Sequence, residues 1–288
     1  NFPLAKGSGF SSHADGKPEG DGFDIDFVAH EMGHQLGANH TFSYETEGTG
    51  MNVEPGGGST IMGYAGVTDY NVQTHSDDYF AFASIAQIQN NLAIKSCPVS
   101  VVLSNKTPLV NAGLDYTIPK GTPFVLKGSG SDPNGDTLTY CWEQNDSAVN
   151  AVGANSVAYP TKTDGPIFRS LPPNSSPIRY MPSLNKVLTN MLSSTWESVS
   201  NVARTLRFTL TVRDNASAGL AQTNTDVMLV TVDATKGPFV VTSQNTTDLS
   251  WTPLSIQTIT WAVNNTTNLP GSANVNIKLS IDGGLTFP

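Results

Sequence analysis

The chain has 288 residues, a formal net charge of −9 and only 14% charged residues. This length predicts two or three domains. An acidic chain is poorly suited to bind nucleic acid or an anionic membrane surface, so neither partner is expected. No apolar run is long enough to cross a bilayer, so membrane insertion is not expected. The low charge and the many Val, Thr, Ser, Asn and Gly residues are typical of secreted, extracellular β-domains.

Three histidines near the start of the chain stand at informative spacings. Residues 30–40 read His-Glu-Met-Gly-His-Gln-Leu-Gly-Ala-Asn-His, the pattern H-E-x-x-H-x-x-G-x-x-H. His30 and His34 are four residues apart, so they share one face of a helix predicted over about 25–37. Gly37 readily adopts a positive φ, so it is predicted to end the helix and turn the chain. That turn would bring His40 to the same point in space.

This set of side chains suits a catalytic zinc ion. Three imidazole ligands leave one coordination position open for water, which is the catalytic pattern. Glu31 is not a ligand in this pattern and is placed to act as the general base. The alternative is a buried helix whose histidines bind no metal. His13 and His75 lie outside the motif and are expected to be surface or packing residues.

A second motif follows at residues 59–64, Ser-Thr-Ile-Met-Gly-Tyr. Together the two motifs resemble the metzincin zinc endopeptidases, and the flanks of the first resemble reprolysin-like proteases of secreted bacterial proteins. The resemblance implies that Met62 forms an apolar floor beneath the imidazoles. It leaves two roles open for Tyr64: a catalytic residue that stabilises the oxyanion, or a wall residue. Thr41 departs from the Asp of reprolysins and the Glu of astacins.

The resemblance also bears on the extent of the first domain, which we place at 1–99. It implies a specificity pocket between the motif helix and the loop at about 63–75. A second helix is predicted after Ser76-Asp77-Asp78, which look like an N-cap and an acidic first turn, and it should end near Lys95. Only 29 residues precede His30. We therefore expect the α+β lower half of a metzincin catalytic domain, in a chain that is a mature or excised piece.

Residues 107–234 have the pattern of an all-β, immunoglobulin-like sandwich. Short β-rich runs at 110–118, 124–127, 138–143, 206–212 and 227–232 alternate with Gly, Pro, Asn and Asp. The run 206–212 alternates apolar and polar residues, as a strand with one buried face does. A long insertion at about 145–200 includes a helix predicted near 184–192. The turn at 128–140 and the strand end at 211–215 resemble PKD and cadherin-like modules.

The same turn carries candidate calcium ligands. Asp132, Asn134 and Asp136 occupy alternate positions of this turn, and Asp214 lies in the strand end at 211–215. Clustered oxygen ligands suit a hard cation such as Ca²⁺. The alternative is a β-turn rich in Asp and Asn that binds no ion.

The last part of the chain, 237–288, is predicted to begin a third, incomplete β-domain. Strands are expected at 256–263 and 275–281, with a hairpin turn at 282–284. The two cysteines, Cys97 and Cys141, are expected to be two unpaired thiols, with a disulfide between them as the less favoured alternative.

The motifs predict a secreted, zinc-dependent endopeptidase that acts on a protein or peptide substrate. The β-modules are expected to bind a surface or another domain. The alternative is a non-catalytic adhesive or binding chain of β-modules that carries an incomplete protease domain.

Overall fold

A helical segment precedes a series of small β-sheets, in agreement with an α+β region followed by β-modules. The structure, a computed structural model, describes residues 11, 16–97, 99–246, 248–282 and 286. None of the described helices is long and apolar enough to cross a membrane. His13 lies outside the described residues.

The motif helix is one continuous helical run with three parts. It consists of α1 (Asp21–Phe23), a π-helical stretch (Asp24–Ala29) and α2 (His30–Leu36). The predicted helix is therefore confirmed, although it begins earlier than expected. Gly20 precedes the run, and Asp24 and Asp26 lie inside it, so neither aspartate caps the helix.

The second helix, α3 (Phe82–Ala93), begins later than the sequence predicts. Ser76 and Asp77 do not cap it, because Ala81 stands at the N-cap position. Their backbone amides donate to the Asp26 carboxylate and to the Ser59 carbonyl. The first amide of the helix, that of Phe82, instead donates to a carboxylate oxygen of Glu143 at 2.8 Å. Free amides at a helix start need such an acceptor, and here a distant strand provides it.

Twelve strands and one further α-helix, α4 (Leu184–Leu188), follow in the described part of the chain. The predicted run 110–118 is two strands, and the predicted helix near 184–192 is shorter than expected. The strands are β1 (Leu109–Asn111), β2 (Tyr116–Pro119), β3 (Phe124–Lys127), β4 (Ser129–Ser131), β5 (Thr139–Gln144), β6 (Ile178–Met181), β7 (Ser193–Ser194), β8 (Glu197–Ser198), β9 (Arg204–Arg213), β10 (Thr223–Asp233), β11 (Val240–Val241) and β12 (Trp261–Ala262).

The largest sheet is built around β9. This strand pairs antiparallel with β10 and β5, and β2 joins β10 in parallel. Strand β3 pairs with β6 and β1 pairs with β4. One apolar core joins the β3–β6 pair to the large sheet; it includes Leu126, Trp142, Phe168, Met181, Leu206, Phe208, Leu210 and Val230.

The prediction that β9 has one buried face is confirmed for the first half of the strand, where Thr205 and Arg207 are exposed, and is wrong for the second half. Thr209 and Thr211, which alternate with its apolar residues, are also fully buried. The Thr209 hydroxyl accepts a hydrogen bond from the Asn145 side chain, at the start of the insertion. The insertion therefore covers a face that the sequence pattern assigns to solvent.

The insertion at 145–200 also packs on the helical segment. Its Ala148 amide donates to the Asn52 carbonyl at 2.9 Å, and its Gly153 amide donates to the Tyr44 carbonyl at 2.6 Å. The Trp196 ring lies directly against Gly56. The loop that leads from the histidine motif to Met62 is thus held from outside by the β-module.

Beyond residue 237 the predicted strands are mostly wrong. Only β12 falls inside the expected run 256–263, and the described residues of 275–281 form no strand. Leu254, Ile256 and Ile281 are almost fully exposed. Strands that bury no apolar face are marginal, which accounts for the lack of regular pairing. Most of the predicted turn, 283–284, lies outside the described residues.

Both cysteines are free within the described part of the chain. Cys97 is exposed, while Cys141 is buried in β5 and its thiol donates to the Leu171 carbonyl at 3.3 Å. The preferred prediction of two unpaired thiols is confirmed.

Candidate active site

The three motif imidazoles converge on one point. The ring centroids lie 4.7 Å apart for His30 and His34, 4.6 Å for His34 and His40, and 5.2 Å for His30 and His40. The Nε2 atoms of His34 and His40 are 3.0 Å apart, and one ring nitrogen of each histidine lies within 4.8 Å of the other two. A tetrahedral zinc with Zn–N bonds near 2.0–2.1 Å would need nitrogens about 3.3 Å apart. The donor set and its spacing therefore fit zinc.

Each ring is fixed by its other nitrogen. The Nδ1 acceptors are the Ile61 carbonyl for His30 (2.7 Å), the Ala38 carbonyl for His34 (2.9 Å) and the Glu47 carboxylate for His40 (2.8 Å). A carbonyl oxygen can only accept, so the Nδ1 of His30 and of His34 carries the proton. Each Nε2 then keeps its lone pair for a metal, which is the arrangement of metal-binding histidines.

Burial keeps His30 neutral. The loss of solvent around the ring, with smaller contributions from His34 and His40, lowers the pKa of His30 to about 4 against the opposing effects of the Ile61 carbonyl and Glu31. Neutral imidazole is the form that binds a metal. His30 is therefore ready to act as a ligand at physiological pH.

Gly37 makes the turn to the third histidine. It ends α2 with φ 107°, and the amides of Gly37 and Ala38 close the turn onto the carbonyls of His34 and Gly33. A Cβ at Gly37 would lie 2.8 Å from the Asn91 side chain of α3. Both the left-handed backbone and the contact with α3 therefore favour glycine here.

Met62 packs against the motif helix. It is fully buried and belongs to a cluster with Ala38 and Ile61. Its sulfur occupies the space that a side chain at Gly33 would need, between the first two histidines of the motif. The Met62 carbonyl accepts the Thr41 amide at 3.0 Å. The turn at residues 59–64, the Met-turn, is therefore tied to the residue after His40.

A cavity of about 410 Å³ opens beside His30. Glu31 lines this cavity and is exposed. Residues 63–67, which include Tyr64, and residues 74–76 also line it. The half-buried Tyr64 ring lies 5.6 Å from the His30 ring and 4.5 Å from the His40 ring. Burial, followed by nearby carboxylates, raises the pKa of Tyr64, so its phenol stays protonated and can donate a hydrogen bond.

His75, which the sequence left as a surface or packing residue, also lines this cavity. It is exposed, and its Nδ1 lies 3.0 Å from the Asp26 carboxylate of the motif helix. The same carboxylate accepts the Ser76 amide at 2.8 Å.

Sequence reasoning missed one central residue, Glu54. Its carboxylate is buried and accepts five hydrogen bonds. The donors are the hydroxyls of Thr41, Ser59 and Thr60 and the amides of Ser59 and Thr60. Glu54 thus joins the residue after His40 to the Met-turn. It is the single acidic residue between Glu47 and Asp69, a signal that could have drawn attention to it.

The candidate calcium ligands lie at the end of the large sheet where β5 begins and β9 ends. One carboxylate oxygen each from Asp132, Asp136 and Asp214 lies within 4.8 Å of the others. Asp132 Oδ1 accepts the amides of Asn134 and Asp136, while its Oδ2 is buried with no hydrogen-bond partner in the described structure. The turn therefore forms the hydrogen bonds expected of an Asp- and Asn-rich β-turn, and it still leaves one carboxylate oxygen available for an ion.

The two remaining ligand candidates are used in different ways. Asp214 is fully buried and accepts hydrogen bonds from the Asn105 side chain and from the amides of Ala216 and Gln222. Asn134 is exposed, and its side-chain oxygen accepts the Lys106 amide at 2.9 Å. The structure brings together the three aspartates and engages Asn134 elsewhere.

Comparison with known proteins gives one family match. Residues 4–96 match the reprolysin-like family M12B of metallopeptidases. The match covers only the first segment of the chain. No curated protein matches the chain.

Two solved structures are similar to parts of the chain at low identity. One, a nucleoside hydrolase-related hypothetical protein from Saccharophagus degradans associated with carbohydrate metabolism, is 22% identical with a TM-score of 0.27 and covers 45% of this chain and 26% of its own. The other, a protocadherin gammaB7 EC3-6 cis-dimer, is 16% identical with a TM-score of 0.28 and covers 51% and 29%. The chain thus spans less than a third of either protein. TM-scores at this level do not establish a common fold.

Replacing Glu54 tests the role of its five hydrogen bonds. In Glu54→Gln an NH2 group replaces one carboxylate oxygen. This group cannot accept a hydrogen bond, so the buried donors that face it lose their partner. We expect the free energy of unfolding to fall by about 2–4 kcal/mol and zinc binding to weaken. Urea unfolding and zinc titration measure both effects. The exposed Glu45→Gln is the matched control, and equal stability of the two variants would contradict the role of Glu54.

Proposed function

We propose that the chain is a secreted, zinc-dependent endopeptidase that cleaves a protein or peptide substrate. The observation that carries the proposal is the convergence of three Nδ1-anchored imidazoles beside an exposed glutamate and a cavity. The match of residues 4–96 to reprolysin-like metallopeptidases supports the same chemistry.

His30, His34 and His40 would hold the zinc ion. When bound, zinc supplies a Lewis acid that polarises the scissile carbonyl and lowers the pKa of water in the open position. The carbonyls of Ile61 and Ala38 keep two of the rings in the tautomer that binds a metal. The protein therefore contributes a donor set that is oriented before the metal arrives.

Glu31 is the proposed general base. It follows the first histidine in sequence, is exposed and lines the cavity that a substrate would enter. Its carboxylate would take the proton from the attacking water and deliver it to the leaving amine. Because the Tyr64 phenol stays protonated, we assign it the donation of a hydrogen bond to the developing oxyanion.

The proposed domain arrangement follows the sequence boundaries. A zinc metalloprotease segment occupies 1–99, a PKD or cadherin-like immunoglobulin sandwich occupies 107–234, and an incomplete β-domain occupies 237–288. The β-modules would bind a surface or another domain outside the chemistry.

Glu31→Gln separates catalysis from metal binding. We expect kcat/KM for peptide cleavage to fall about 10²–10⁴-fold, since the variant loses the base. Its zinc content should stay equal to that of the parent, because Glu31 is not a ligand. The exposed Glu19→Gln is the control and should keep full activity. Undiminished cleavage by Glu31→Gln would refute the mechanism. Stoichiometric zinc without cleavage by the parent would favour the non-catalytic adhesive alternative.

We also propose that the β-module binds Ca²⁺ through Asp132, Asp136 and Asp214. The buried and unpaired Asp132 Oδ2, together with two further carboxylates, is the observation that favours this site. Hard cations select such clustered oxygens, and a bound ion would offset the repulsion between the carboxylates.

Calcium should raise the melting temperature of the chain, while an equal concentration of Mg²⁺ should raise it less, because Mg²⁺ dehydrates reluctantly. Asp132→Asn should abolish the calcium effect, and Asp248→Asn, an exposed control outside the cluster, should preserve it. Zinc-loaded protein is used throughout so that the two metals are not confused. A melting temperature that does not respond to calcium would contradict this site.

A further inference from the structure

We propose that the β-module braces one wall of the substrate pocket from behind, with Arg169 as its positioning residue. This inference rests on the proposed peptidase function, because it treats the cavity beside His30 as the place where a substrate side chain binds. It assigns the module a part in specificity in addition to any role in surface binding.

Arg169 reaches from the insertion onto the end of the loop at 63–75 and onto Asp77, just after it. Its guanidinium donates a hydrogen bond to the Gln73 side-chain oxygen and lies 3.9 Å from the Asp77 carboxylate. Its Nε donates to the Ser170 carbonyl at 3.1 Å, which fixes the side chain on the module. The Arg169 side chain is 20% exposed, so it is largely enclosed by these contacts.

Gln73 passes this contact to the pocket wall. Its side-chain nitrogen donates to the His75 carbonyl at 2.7 Å. Thr74, His75 and Ser76 line the cavity. The wall is therefore held from both sides, by Asp26 of the motif helix and by Arg169 of the module.

Asp77 adds an electrostatic reason for the arginine. Its Oδ2 is buried and has no hydrogen-bond partner in the described structure, and Arg169 is the cation beside it. A buried carboxylate that loses its charge partner is strongly destabilised. Loss of Arg169 should therefore shift the segment around Asp77 as well as release Gln73.

A second contact fixes the same wall where it meets α3. The Tyr79 hydroxyl lies 2.6 Å from the Ser170 hydroxyl, which donates to the Glu143 carboxylate at 2.9 Å. The Arg213 guanidinium stacks 5.6 Å from the Tyr79 ring and donates to the Phe80 carbonyl. Because the Tyr79 carbonyl accepts the Ile61 amide, these contacts also reach the Met-turn.

The experiment compares the Arg169→Ala variant with the parent chain, both at full length and loaded with zinc. The substrates are two peptides that differ only in whether Gly or Leu flanks the cleaved bond on the side that enters the pocket. We expect KM for the Leu peptide to rise about 5–30-fold, with a much smaller change for the Gly peptide and with kcat and zinc content nearly unchanged. Arg169→Lys should restore part of the loss. The exposed Arg207→Ala is the control and should leave KM unchanged.

Hydrogen exchange of residues 70–79 gives a readout that needs no activity. Arg169→Ala should speed exchange there, and the control should not. Gln73→Met removes the same contact from the other side, and the double variant should be no worse than Arg169→Ala alone. Unchanged KM and unchanged exchange in Arg169→Ala would overturn the proposal, even with Glu31 shown to be the base. If the parent chain were inactive and Arg169→Ala still accelerated exchange, the contact of Arg169 with the pocket wall would be upheld and the peptidase function refuted.

Discussion

Three imidazole rings are oriented toward one metal when the ring nitrogen that does not bind the metal is held by a hydrogen bond. In this chain the first two are held by backbone carbonyls, of Ile61 and Ala38. Those carbonyls belong to the Met-turn and to the turn after Gly37. The candidate metal centre therefore depends on the relative position of two loops, and other contacts of the segment fix these loops.

Glu54 and the β-module act on that position from inside and from outside. Glu54 draws the Met-turn and Thr41 together with five hydrogen bonds from buried donors. The module packs Trp196 on Gly56 and holds Tyr79 through Ser170. Buried polar networks of this kind favour one arrangement because each broken bond leaves an uncompensated group. The β-module is thus part of the frame of the site as well as a neighbouring domain.

The sequence predicted what depends on local spacing. The helical run with its end at Gly37 followed from periodicity, and the alternation of apolar residues identified β9. Contacts between distant residues were beyond such patterns. Nothing near Phe82 indicates that Glu143 accepts its amide, and nothing near Glu54 indicates its five donors. Beyond residue 237 the β-prone runs lack a core to bury them, so local pattern predicted strands that packing does not stabilise.

The central claim is that His30, His34 and His40 form one zinc site with an open position. X-ray absorption at the zinc edge, on protein loaded with one equivalent of zinc and dialysed, tests it directly. The account predicts three imidazole nitrogens and one oxygen at about 2.0–2.1 Å. Failure to retain one zinc per chain, or a sulfur ligand at about 2.3 Å, would contradict it.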